Sequence, residues 1–137
     1  MLSKIDHVGF AVRDLEQSLK IYTDLLGLKC IHIEVLSNVG IRIAFIPLGE
    51  VLIELLAPMN DESSIAKFIA QKGEGMHHIA YRVRHIDEAL KKLKQNGIKL
   101  RDEKGRPGGA GALIAFLAPE STNDVLTELV QREKDLI

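Results

Sequence analysis

Residues 6–19 read DHVGFAVRDLEQSL, and residues 77–90 read HHIAYRVRHIDEAL. His7/His78, Val12/Val83, Arg13/Arg84 and Leu19/Leu90 are identical, and Val8/Ile79, Phe10/Tyr81, Leu15/Ile86 and Glu16/Asp87 are conservative. The correspondence continues in order: Gly27-Leu28-Lys29 with Gly97-Ile98-Lys99, Ile43-Ala44-Phe45 with Ile114-Ala115-Phe116, and Val51-Leu52-Ile53-Glu54-Leu55 with Val125-Leu126-Thr127-Glu128-Leu129. Four blocks in one order mark an internal duplication. They define two modules, about residues 1–60 and 75–132, expected to share a single domain spanning 1–137.

Each module carries the same local signals. Residues 4–13 alternate polar and apolar with β-formers, which predicts a strand. Asp14 is placed to cap a helix whose apolar stripe is Leu15, Leu19, Tyr22, Leu25 and Leu26, with Gly27 as its stop. Strand-like runs follow near 29–36, 40–48 and 51–58. The second module repeats the pattern, with a strand at 77–84, a helix at 86–96 stopped by Gly97, and strands near 98–102, 112–118 and 124–131. Between the modules, Asn60–Ser64 reads as a capped start to a short helix, Ile65–Gln71. The expected class is α+β, built as two tandem βαβββ modules.

Composition bounds the function. Of 137 residues, 46% are hydrophobic and 27% charged, so the chain can bury a real core and does not match a disordered polymer. Eighteen basic residues against nineteen acidic ones leave a net charge of −1, which excludes the basic field of a nucleic-acid or anionic-membrane binder. The single cysteine, Cys30, excludes an internal disulfide framework. With no leader-like or membrane-spanning stretch, the expectation is a soluble cytoplasmic protein.

The duplication preserves two polar residue types inside otherwise apolar strands: His7/His78 and Glu54/Glu128. His7 shares a strand face with Gly9 and Ala11, while Val8, Phe10 and Val12 face the other way; His78 likewise sits over Ala80. Glu54 and Glu128 interrupt VLIELL and VLTELV. A carboxylate among leucines is costly unless it is paired or bound to a cation. Two imidazoles and two carboxylates would suit a divalent metal and leave open positions on a six-coordinate ion. The absence of thiolates argues against structural zinc and favours cobalt, nickel, manganese or iron, with magnesium an alternative. His77 must face away from His78, and His32 and His85 have no histidine counterpart, so all three are expected outside the ligand set.

The stretches IDHVGFAV, ELLAPMNDESSIAKFI, GEGMHHIAYRV and VLTELV resemble the vicinal-oxygen-chelate superfamily, and within it the methylmalonyl-CoA epimerase family. The resemblance covers about residues 4–132. It implies a glyoxalase-like fold, a cupped mixed sheet around a metal site, with ligands at His7, Glu54, His78 and Glu128. It further implies a divalent-metal isomerase acting on an acyl-CoA through an enolate, and a homodimer. Some epimerases have glutamine at the second ligand position; Glu54 gives the His/Glu/His/Glu set also seen in bacterial glyoxalase I. That lyase activity is the alternative enzyme, and a metal-free binding protein of the same fold is the alternative outside enzymes.

The same resemblance makes Glu128 the first proton carrier. Glu54 is either a second carrier or a ligand only. Several epimerases carry a glutamate on the strand before the second ligand, and the matching position here is Ile43. Lys104–Gly111, KGRPGGAG, looks like a phosphate loop but lacks the following lysine and hydroxyl residue, so it reads as a loop at a cavity mouth.

Overall fold

Alternation and helical periodicity become eight strands and three α-helices in the computed structural model, which describes residues 1–137. In chain order they are β1 (Leu2–Ala11), α1 (Leu15–Lys20), β2 (His32–Leu36), β3 (Ile41–Leu48), β4 (Val51–Pro58), α2 (Ser64–Lys72), β5 (Gly75–Val83), α3 (Ile86–Gln95), β6 (Arg106–Pro107), β7 (Leu113–Phe116) and β8 (Thr127–Gln131). The chain divides into two compact units, one of His7–His77 and one of Met1–Asp6 with His78–Ile137. No helix is long and apolar enough to cross a membrane.

In the His7–His77 unit the strands lie in the order β2-β3-β4-β1. β1 runs parallel to β4, while β2/β3 and β3/β4 are antiparallel hairpin neighbours. Asp14 caps α1 as its spacing predicts, its Oδ1 accepting from the Gln17 N–H at 3.0 Å. Leu15 packs with Val12, Ala44, Ile46, Leu55 and Ala57, and Leu19 and Tyr22 lie against them. The predicted stripe ends there: Leu25 and Leu26 are 78% and 59% exposed. A π-helical turn over Ile21–Leu25 follows α1, with the Leu26 N–H bonded to the Ile21 carbonyl. This wider turn adds a residue and rotates the later leucines off the core-facing side. α2 begins as expected, with Ser63 Oγ accepting from the Ala66 N–H at 3.1 Å.

In the other unit the order is β5-β8-β7-β6, with β5 parallel to β8 and the remaining pairs antiparallel. α3 buries Ile86, Ala89 and Leu90 against Val83, Ala115, Leu117 and Leu129. Its cap position, His85, supplies no side-chain bond; the Ile86 N–H is instead satisfied by Gln131 Oε1 at 2.8 Å. The strand expected near 98–102 shrinks to one bridge, Leu100 with Leu117. There the Arg101 and Asp102 N–H groups both donate to the Phe116 carbonyl, and Asp102 Oδ2 accepts from the Phe116 N–H. The chain therefore turns away from β7, and pairing resumes only at β6, inside the glycine-rich stretch. Gly108 is needed in that loop because a Cβ would meet Ile114 Cγ2 at 2.7 Å.

Candidate functional site

The parallel pairing of each unit puts its histidine and glutamate on one face. In the first, Gly9 of β1 lies opposite Glu54 of β4, and Phe45 of β3 lies opposite Glu54 on its other side. The second unit repeats this register, with Ala80 opposite Glu128 and Phe116 opposite Glu128. A small residue thus stands beside each carboxylate, leaving space over the strand where the histidine two positions earlier projects.

The side chains meet within each unit. His7 Nδ1 is 3.1 Å from Glu54 Oε2, and His78 Nε2 is 3.7 Å from Glu128 Oε2. All four residues are 3–5% exposed, so each pair is withdrawn from bulk water. The Phe116 and His78 rings pack edge to face, with centroids 5.6 Å apart. The donor chemistry fits a divalent ion: each unit offers imidazole nitrogen and carboxylate oxygen, with no thiolate, and both pairs belong to buried groups able to ligate a metal.

The other histidines behave less uniformly. His77 and Phe68 pack edge to face with ring centroids 4.8 Å apart. His32 is 55% exposed in its side chain but stacks on buried Phe45 and stands 3.6 Å from Glu34. Sequence periodicity missed that pairing, and its one signal was the i, i+2 spacing of His32 and Glu34 on a strand.

It also missed a buried charge cluster behind β1. Asp6, with its side chain fully buried, accepts from Arg82 Nε at 2.8 Å and from Arg132 Nε and Nη2 at 3.1 and 3.0 Å. The Arg132 side chain is 3% exposed and also donates to the Gly109 carbonyl at 3.4 Å, tying the glycine-rich loop to the start of β1. Arg82 continues to Asp135 at 2.6 Å. Burial works against the charged form of Arg82, but its bonds to Asp135 and Asp6 outweigh that and raise its pKa. Asp135 is correspondingly held below the usual carboxylate range by the Arg82 hydrogen bond.

Comparison with known proteins places this geometry in a class. Residues 6–116 match the Glyoxalase/Bleomycin resistance protein/Dioxygenase superfamily, and the chain belongs to that superfamily. Its α+β architecture is the glyoxalase-like fold. Within the superfamily the chain is similar to methylmalonyl-CoA epimerases. A variant of the Streptomyces coelicolor enzyme in complex with 2-nitronate-propionyl-CoA matches with a TM-score of 0.93 at 32% identity, covering 98% of each chain. The Mycobacterium tuberculosis epimerase matches with a TM-score of 0.92 at 36% identity, covering 98% of this chain and 91% of that one. The human mitochondrial epimerase is 36% identical over 131 residues, 95% of this chain and 74% of its own. The activity class is that of an isomerase, of the epimerase type.

Proposed function

We propose that this chain interconverts the two epimers of methylmalonyl-CoA at a divalent metal site formed by His7, Glu54, His78 and Glu128. The observation that supports it is the duplicated, buried His–Glu pair in one register, within a chain aligned almost end to end with methylmalonyl-CoA epimerases. Cobalt suits the nitrogen and oxygen donors, with nickel, manganese and magnesium as alternatives. When bound, such an ion supplies Lewis-acid stabilisation of negative charge on oxygen, a contribution of several kcal/mol.

The chain's own residues hold and move the proton. The α-carbon of the substrate lies between a thioester carbonyl and a carboxylate, and its proton must leave one face and return on the other. Glu128 is the leading candidate carrier, its carboxylate exchanging a proton with one face of the α-carbon. Glu54 shares the right chemistry and is held by His7. Burial of both pairs excludes the water that would otherwise quench the carbanion. A cytoplasmic homodimer is part of the same reading.

The deciding experiment follows α-proton exchange of methylmalonyl-CoA in deuterium oxide, with apo-protein and with added cobalt. Metal-dependent exchange with interconversion of epimers supports the proposal. No metal-dependent exchange, or formation of lactoylglutathione from methylglyoxal and glutathione instead, overturns it.

A further inference from the structure

β2 is inside out. Its β-branched residues Ile33 and Val35 are 44% and 52% exposed, while Glu34 between them is turned inward, its side chain 23% exposed. A half-buried strand ordinarily does the reverse, hiding its aliphatic residues and exposing its charges. Register shows where the inward face looks. Glu34 lies directly opposite Ile43 of β3, and Ile43 lies opposite Leu56 of β4. Opposed residues share a face, and so do residues two apart on one strand, so Glu34, Ile43, Leu56 and Glu54 all project from one side of the sheet. The ring stack of His32 on Phe45, at 5.6 Å, shows independently that β2 delivers its side chains there, because Phe45 is opposite Glu54.

We propose that Glu34 is the second proton carrier of the epimerisation, placing on β2 the carboxylate that Ile43 does not provide on β3. The proposal rests on the epimerase reading above. Ile43 is 4% exposed and apolar, so β3 itself offers no proton acceptor between Arg42 and Glu50. Glu34 stands one strand further out in the same row, about 4.8 Å away between backbones, on the same face of the sheet as Ile43. Glu54 is the less suitable second carrier, since its Oε2 is held 3.1 Å from His7, closer than the 3.7 Å between Glu128 and His78. His32 Nε2, 3.6 Å from Glu34 Oε2 and largely solvent-exposed, completes the device by orienting the carboxylate and linking it to water.

The step balances as a proton relay. The Glu34 carboxylate forms an O–H bond to the α-proton, the C–H electron pair stays on the substrate as the enolate, and the acid form of Glu128 returns a proton to the opposite face. One turnover leaves Glu34 protonated and Glu128 ionised, which is the state required for the reverse epimer; Glu34 then loses its proton to water through His32 and Glu128 takes one up from water once the product has left, which resets both.

The test uses the metal-loaded protein and each methylmalonyl-CoA epimer separately, in deuterium oxide. Epimer conversion and α-deuterium incorporation are measured in parallel on wild type, Glu34→Gln and the double variant Glu34→Gln/Ile43→Glu. The expected result for Glu34→Gln is conversion slowed by about 100-fold or more, the scale of losing one acid–base group. Incorporation into one epimer, the one Glu128 serves, is then retained within about 3-fold. The double variant should recover about 10-fold of the lost conversion, because its carboxylate returns to the row on β3. Conversion by Glu34→Gln within about 3-fold of wild type overturns the proposal, as does equal loss of incorporation from both epimers in a variant that melts like wild type. A wild type inactive on both epimers overturns the epimerase reading itself, a different failure.

Discussion

His7 Nδ1 stands 3.1 Å from Glu54 Oε2, with both side chains buried between strands that run parallel. An imidazole beside a carboxylate would supply half of the proposed ligand set, and removing either group takes from the other a partner in a dry environment. His7→Ala and His78→Ala should each weaken cobalt binding by more than the roughly 100-fold that loss of an outer-shell partner costs. Equilibrium dialysis with metal analysis measures this directly. A variant that retains stoichiometric metal would refute its residue as a ligand.

Arg132 grips both oxygens of fully buried Asp6, and nothing on the surface can replace that fork. Arg132→Met removes one partner of a buried ion pair and should destabilise the fold by about 3–5 kcal/mol in urea titration. Arg132→Lys keeps the charge but loses the planar fork and should recover only part of it. The same changes release the Gly109 carbonyl, so proteolysis within Arg106–Gly111 should accelerate in parallel.

Leu15 and Leu25 belong to one apolar stripe by sequence but not by structure. Leu15→Ala opens a cavity in a residue 2% exposed and should cost about 2–5 kcal/mol. Leu25→Ala, at a position 78% exposed beyond the π turn, should change stability by no more than about 0.5 kcal/mol. Equal costs at the two sites would mean that the helix continues as α in solution.

Glu16 on α1 meets Arg42 of β3 at 2.6 Å, and that hydrogen bond lowers its pKa from the ordinary 4.5. The folded state therefore binds this proton less readily than the unfolded chain does. The resulting stabilisation is complete above pH 4.5 and is lost as pH falls through the lower folded value. Asp135, lowered by Arg82, acts in the same direction below its ordinary 3.8. Because Glu16 is exposed, the effect is small and screened by salt. Glu16→Gln should flatten the acid limb of a melting-temperature profile below about pH 4.5, and added sodium chloride should do the same to wild type.

The duplication made the strands and helices legible because each signal was written twice. Alternation and a glycine stop in one module are weak evidence, but the same signals at matching offsets leave few other readings. The four His and Glu positions were visible for the same reason, since a costly polar residue recurred in an apolar strand. Asp6, Arg82 and Arg132 were not visible, because the contacts span 76 and 126 positions and Asp6 has a histidine as its repeat partner. Glu34 was hidden differently: its value depends on which residue lies across from it, and strand periodicity carries no register.

By itself, then, the sequence determined the α+β class, the order of most strands and helices, and the polar positions that interrupt each apolar strand. These follow from periods of two and 3.6 residues, which are local properties of the backbone. The tertiary structure alone decided that Leu25 faces solvent, that Asp6 gathers two distant guanidinium groups, and that Glu34 stands opposite Ile43. Those outcomes depend on an inserted π turn and on strand register, both settled by packing between segments far apart in the chain.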